Sequence, residues 1–429
     1  MRRSPTHVRR LAAGLLAGAL ASTALVLGSS PAHAAHAPLT APGAPTQLRE
    51  VFSPDGSIRT ARVPVAPQAA PDARTERAAE AATVEPVEVN GPSSGKLDLV
   101  FVGDGYTAAQ LDTYRRDVRS KVAELFAVEP YKSYRSLFNI WQVDVVSRES
   151  GVDDDPTQGV RRDTALDMNY YCGGLDRLLC VDEAKAQQYA AQAPQADQVI
   201  ALANSSTYGG AGGTVATAAG GNARSGQIAV HELGHSLGGL ADEYDSPGAH
   251  QGGEEPEPNV SVYPRATMSA YRLKWYRWLG QPTPDGGTVG TYEGAKYAAT
   301  GIYRPSQNSI MRTLGREFNA PSREAMIAAF YRKAGLAAQT PATRDAFGIW
   351  RFGVTAQQPA GGSRVTVRWR VDGHRVPATG LRLGIPAALL AGKAPHHVTA
   401  TVTDETPWVR DPELRSRYLT STLEWTLRP

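Results

Sequence analysis

Three patterns of apolar and polar positions run along the 429-residue chain. Near the N-terminus, Gln47 to Phe52 and Ser57 to Val63 flank Pro54-Asp55-Gly56, which predicts a hairpin turning at Asp55-Gly56. From Leu97 the pattern changes. Leu97 to Val102 is an apolar run ended by Gly103-Asp104-Gly105. Thr107 then stands as the N-cap of a helix whose Leu111, Tyr114, Val118, Val122, Leu125 and Phe126 recur at helical spacing. Phe138 to Val146 and Gln198 to Ala203 predict two further strands, and Ser322 to Lys333 an amphipathic helix. Strand, helix and strand in alternation indicate an α/β (α+β) layer. Between Asn204 and Ser225 the chain is Gly-rich and poorly patterned, and a helix is expected to start near Ser225.

Beyond the boundary at Thr340 to Arg344 the period becomes two. Arg364 to Val371 alternates strictly, Asp372-Gly373 signals a hairpin, and His397 to Asp404 and Tyr418 to Leu427 alternate again. Residues 345–429 are therefore expected to form an Ig-like, all-β sandwich.

The extreme N-terminus differs from both regions. Arg2 to Arg10 is basic, Leu11 to Leu27 is apolar, and Ala32-His33-Ala34 offers a cleavage site, so residues 1–34 read as a secretory signal peptide. Arg9-Arg10 resembles a twin-arginine signal too loosely to choose an export route. No other segment is apolar enough to suggest stable membrane insertion. Residues 35–95 combine the hairpin with an Ala/Pro-rich linker over 66–82, and read as a propeptide or a small accessory β unit. The net charge of +3 forces no nucleic-acid partner. Secretion favours oxidation, so Cys172 and Cys180, the two cysteines of the chain, are expected to pair as a disulfide.

The chemistry concentrates at His231-Glu232-Leu233-Gly234-His235. Positions i and i+4 share a helix face, so His231 and His235 can present ring nitrogens to one ion, with Glu232 beside them as a general base. A catalytic Zn²⁺ needs a third protein ligand and one open position. Gly238-Gly239 lets the helix end and the chain turn back, which makes Asp242 the leading third ligand. Glu243 follows, and His250 and one of Glu254, Glu255 or Glu257 remain as alternatives. Asp153-Asp154-Asp155 is either a calcium-binding turn or a solvated one. Gly209 to Gly213 could border a cleft and leave a strand edge open to an extended peptide.

The run from His231 to Tyr244 resembles the signature of the bacterial IgA-peptidase family of zinc metallopeptidases. Asp98 to Thr107, Glu129-Pro130-Tyr131, Ser150-Gly151-Val152, the Cys172 region, Gly301 to Pro305 and Ser309 to Arg312 are similar to further blocks of that family. The resemblance covers roughly Lys96 to Tyr331. It implies a metzincin-like zinc peptidase domain over residues 96–340, with Met311 in a turn beneath the metal. Tyr303 is a candidate hydrogen-bond donor to the oxyanion of the tetrahedral intermediate. The expected activity is a secreted, extracellular, zinc-dependent endopeptidase acting on a protein or peptide. Two other readings stay open: a binding protein with a structural zinc site, whose C-terminal domain contacts a surface or glycan partner, and a zinc amidase acting on cell-wall peptides.

Overall fold

A six-stranded mixed sheet forms the centre of the region before the C-terminal boundary, and its middle strand shows why. The computed structural model describes residues 45–65, 73–361, 364–392 and 395–428. The proposed signal peptide and residues 66–72 of the Ala/Pro-rich linker lie outside them. The chain begins with the expected hairpin, β1 (Thr46–Phe52) and β2 (Ile58–Pro64), in continuous antiparallel register from Thr46 opposite Pro64 to Phe52 opposite Ile58. Gly56 takes φ +88° in the turn, where a Cβ would also meet the Leu314 carbonyl at 2.8 Å. A short helix, α1 (Ala73–Glu80), lies within the stretch read from sequence as linker.

The strand β3 (Thr83–Glu88) follows, then β4 (Leu97–Asp104), α2 (Leu111–Leu125), β5 (Phe138–Asp144), α3 (Glu183–Ala190), β6 (Gln198–Ala203), β7 (Gly210–Ala211) and β8 (Ala216–Ala219). The sheet order is β3-β5-β4-β6-β8-β7. β4 is parallel to β5 and β6, β6 is parallel to β8, and the two edge strands, β3 and β7, run antiparallel to their neighbours. The sheet thus takes an edge strand from ahead of Lys96, the start read from sequence. Every residue of β4 is buried, as expected for a parallel strand covered on both faces.

Period-two alternation sorts the side chains. Leu97, Leu99, Phe101, Phe138, Ile140, Ile200 and Leu202 face one core. Val100, Val102, Val143, Val199 and Ala201 face the other, against Ala79 of α1 and Ala186, Tyr189 and Ala190 of α3. The first core is closed by α2, by α4 (Gly226–Ser236) and by α6 (Ala320–Ala334). Between α4 and α6 in the chain come α5 (Arg265–Tyr271) and a two-stranded ribbon of β9 (Tyr292–Ala295) and β10 (Ala298–Arg304). Cys172 and Cys180 form a disulfide, with Cα atoms 5.9 Å apart.

The C-terminal region holds two four-stranded sheets. One contains β11 (Ala337–Gln339), β12 (Thr343–Arg344), β13 (Ile349–Ala356) and β16 (Arg382–Pro386). The other has the order β15-β14-β17-β18, with β14 (Val365–Val371), β15 (His374–Val376), β17 (His396–Asp404) and β18 (Thr420–Leu427). A short helix, α7 (Pro412–Tyr418), precedes β18. All pairings are antiparallel. Trp369 stacks on Trp425 at 5.5 Å, and Phe352 of the first sheet meets Trp425 of the second edge-on at 5.6 Å. These side chains belong to the same core cluster as Phe330 and Tyr331 of α6, and the Asp404 carboxylate accepts hydrogen bonds from Tyr134 and Tyr331.

Candidate metal centre

The helix that carries the His pair is buried almost all round, and small residues make that possible. Gly226 leaves no room for a Cβ, which would fall 2.0 Å from Glu124 Oε2 of α2. A Cβ on Gly210 of β7 would lie 2.8 Å from Ile228, and one on Gly234 would lie 2.7 Å from Met311 Sδ. Helix, sheet edge and the Met311 turn therefore approach to backbone distance. Met311 sits directly against the helical turn between the two histidines, and it is fully buried.

The helix stops in a Schellman arrangement. Gly239 takes φ +61°, its N–H donates to His235 O, and the Leu240 N–H reaches back to Gly234 O. The turn has two chemical consequences. The Leu240 carbonyl meets His235 Nδ1 at 2.7 Å, and Asp242 swings over the His pair. On the other side His231 Nδ1 meets the Ile310 carbonyl at 3.0 Å. A carbonyl only accepts, so each Nδ1 carries a proton and each neutral imidazole leaves its Nε2 lone pair free.

Those two Nε2 atoms lie 3.1 Å apart. Asp242 Oδ1 stands 3.4 Å from one and 3.3 Å from the other, and makes no hydrogen bond. Two lone pairs and a carboxylate oxygen converging in a buried space repel one another unless a cation lies between them. A fourth donor arrives from β1: the Glu50 carboxylate lies 3.3 Å from His231 Nε2 and 3.6 Å from His235 Nε2. The ligand atoms of Glu50, His231, His235 and Asp242 all fall within 4.8 Å of one another. Two imidazoles and two carboxylates suit a borderline divalent ion such as zinc.

The same field governs the protons. Burial pulls the His231 pKa down, but the Glu50 charge and the close approach of the Asp242 and Glu50 carboxylates outweigh it and hold it at about 10. His235 is likewise pushed well above its ordinary value: burial opposes the charge, and Asp242 and Glu50 prevail. Burial also works against the Glu50 charge, yet the two imidazoles hold its carboxyl well below the usual range. The pocket thus attracts positive charge, with protons competing against a metal ion.

Glu232 lies beside this cluster with its Oε1 buried and free of hydrogen bonds. Burial, reinforced by the Glu50 charge, raises its pKa to about 8. Its carboxylate rests on the backbone just past β7, where a Cβ on Gly212 would fall 1.9 Å from Oε2.

Tyrosines orient the carboxylates. Tyr297 donates to Asp242 Oδ2 at 2.5 Å and Tyr244 donates to Glu50 Oε1 at 2.9 Å. Tyr297 reaches that position from a tight turn between β9 and β10, with φ +64° after Lys296 at +44°, a costly conformation for side chains other than Gly or Asn. Tyr303, the tyrosine singled out from sequence, is half-buried in β10, its backbone exchanging both hydrogen bonds with Ser261.

Among the sequence alternatives for the third ligand, Asp242 is the one in the cluster. Glu243 points the other way. It is fully buried, and its carboxylate accepts from Asn259 at 3.0 Å, Ser309 at 2.7 Å and Asn319 at 2.9 and 3.0 Å. It ties the ligand loop to the Met311 turn, where its own N–H donates to Met311 O at 2.7 Å. His250 Nε2 faces the Gly253 carbonyl and Glu255. Glu255 and Glu257 pair with Lys296, and Glu254 with Lys274. In the acidic run, Asp154 pairs with Arg161 and accepts from the Gly159 N–H. Glu50 is the residue that sequence reading missed. It lies 181 positions before His231 in a hairpin with no chemical motif of its own.

Residues 86–286 and 282–330 match the family model described as IgA Peptidase M64. No curated protein matches the chain.

Proposed function

Because the chain belongs to the IgA peptidase M64 family, and so to a family of peptidases, we propose that it is a zinc-dependent endopeptidase in which His231, His235 and Asp242 hold the metal and Glu232 is the general base. The observation that carries this reading is the place of Glu232. A structural zinc site needs no unpartnered carboxylate beside its ligands, whereas hydrolysis needs one. Zinc bound there supplies Lewis acidity, activating water and polarising the scissile carbonyl. Glu232 takes the proton of the attacking water as its oxygen bonds to the carbonyl carbon. It then delivers that proton to the amine nitrogen as the C–N bond breaks. Gly212, having no side chain, leaves the room in which the carboxylate sits. The Ile310 and Leu240 carbonyls hold both rings with Nε2 inward, and Tyr297 holds Asp242. Tyr303 is the sequence candidate for oxyanion donor, and Tyr244, whose hydroxyl already points into the cluster, is a second one.

We place the enzyme outside the cell. The N-terminal segment reads as a signal peptide, and the Cys172–Cys180 disulfide suits an oxidising compartment. No helix among the described residues is long and apolar enough to cross a membrane. The metzincin-like arrangement is supported by Met311 lying against Gly234. The C-terminal sheets are proposed to form a sandwich that contacts a surface or glycan partner.

The test is hydrolysis of an unbiased peptide library by the processed protein purified from culture medium, with metal content determined. The expected result is one zinc per chain, cleavage by the wild type, and no cleavage after chelation or in Glu232→Ala, which keeps its zinc. Retained turnover in Glu232→Ala would remove that residue from the mechanism. A chain that takes up no metal even when zinc is supplied would refute the reading.

A further inference from the structure

The centre has one donor more than a catalytic site can use. Three protein ligands leave a position open for chemistry, and four close it. Here the fourth, Glu50, comes from the N-terminal hairpin, outside the residues that match the peptidase family. Resting on the peptidase reading above, we propose that this hairpin is an autoinhibitory segment. It lies in the substrate cleft and closes the metal centre with the Glu50 carboxylate, so that the chain is latent while the hairpin is docked.

The hairpin touches the walls on both sides of the centre. Towards the sheet edge, Arg49 Nη1 donates to the Gly212 carbonyl at 2.8 Å, beside the backbone that confines Glu232. Val63 packs with Leu178, Ala211 and the disulfide-closed loop. Towards the Met311 turn, the Leu314 N–H donates to Gly56 O at 2.9 Å, and Ser57 bridges to Thr313. Phe52 is 1% exposed. It fills an apolar pocket formed with Ile228 and Leu314, and meets the His231 ring edge-on at 5.6 Å. The tip is held by Arg177 on Ser53 Oγ, Tyr208 on Ser53 O and Arg224 on Pro54 O.

An extended peptide that passes the sheet edge, buries a large side chain beside the catalytic helix and sets a carbonyl at the metal would need this same space. In β1 a carboxylate takes the place of that carbonyl, and Tyr244 donates to it. The sequence Arg49-Glu50-Val51-Phe52 therefore acts as a tethered occupant. The pocket that Phe52 fills becomes a subsite for a bulky apolar residue once the hairpin leaves.

The experiment compares the unprocessed chain, residues 35–429, as wild type, Glu50→Ala and Glu50→Ala/Phe52→Ala, each checked for folding by circular dichroism. One readout is independent of turnover: the visible absorption of the cobalt(II)-loaded chain and the rate at which a chelator removes the metal. Loss of a carboxylate ligand in Glu50→Ala is expected to change the cobalt spectrum and to speed metal release about tenfold or more. The second readout is peptide hydrolysis, expected to rise about tenfold or more in the double variant, which also lacks the Phe52 anchor. A synthetic Thr46–Phe52 peptide should inhibit the processed enzyme, and the same peptide with Ala in place of Glu50 should not. An unchanged spectrum and release rate in Glu50→Ala would overturn the proposal. So would a double variant no faster than the wild-type chain when the processed enzyme is active. If the processed enzyme itself cleaves nothing, the peptidase reading fails, and the cobalt spectrum alone decides whether Glu50 is a ligand.

Discussion

Gly212→Ala probes the proposed general base more cleanly than removal of Glu232 itself. Gly212 does not adopt a left-handed φ, so alanine costs no backbone strain there. What it meets is the Glu232 carboxylate: its Cβ would lie 1.9 Å from Oε2, 2.3 Å from Cδ and 2.6 Å from Oε1. Contacts that short cannot persist, so the carboxylate must move by about 1 Å or more to reach ordinary van der Waals distance. The stability cost should resemble that of other overpacked sites, about 1–3 kcal/mol. The catalytic cost should be larger in effect, because misplacing a reacting group by about 1 Å lowers turnover by about 100-fold. The assay is kcat on a cleaved peptide in the Glu50→Ala/Phe52→Ala background, with zinc content and thermal midpoint measured on the same samples. We expect kcat to fall about 100-fold with zinc unchanged and the midpoint only modestly lower. If kcat stays within about threefold while the chain is folded and loaded, Glu232 does not act from this position.

Other predictions are simpler. His235→Ala should lose the metal, as measured by zinc content after dialysis, because the three remaining donors include one from a detachable hairpin. Changing both Cys172 and Cys180 to serine should lower stability by about 2.5 kcal/mol, the loop-closure value for a separation of 8 residues, read by urea denaturation. Trp369→Ala should cost about 3–5 kcal/mol in the same assay, since the ring is fully buried and stacked on Trp425. Asp285 gives a pH effect. Burial pushes its pKa up, but hydrogen bonds from Thr283 and from the Asn308 and Gly287 amides outweigh that and hold it below the usual range. Its contribution is therefore full above the unfolded value, about 4, and is lost as pH falls through the lower folded value. The stability gap between wild type and Asp285→Asn should shrink as pH drops from about 6 to about 3.

Much of this molecule was legible because burial imposes a period. β4, β6, β14 and β17 fall where the runs and alternations put them, and Asp55-Gly56 and Asp372-Gly373 both turn hairpins. Among the strands that were missed, β7 and β8 are Gly-Ala and Ala-Thr-Ala-Ala. They lack the bulky β-branched pattern because α4 packs at backbone distance against them, and only small residues fit. β3 hid within a stretch rich in Ala and Pro, and Pro86 sits in it without harm because β3 is an edge strand. At the site, helical spacing gives His231, Glu232 and His235, and the paired glycines place the turn that delivers Asp242. Glu50 and Tyr297 have no such local signature. Their positions depend on tertiary docking of a distant hairpin and of a strained turn, which no spacing records.

The buried Glu243 carboxylate has a thermodynamic consequence. The hydrogen bonds it accepts join Asn259, Ser309, Asn319 and Ser322 to the loop that carries Asp242, and none of them depends on an ion. The ring carbonyl contacts of His231 and His235 are equally independent of one. The entropy of assembling the donors is thus spent during folding rather than at the moment of capture. Unlike small domains that fold only around their zinc, this chain should cycle between loaded and empty forms as an intact fold, with ion exchange governed by access to the centre and not by unfolding.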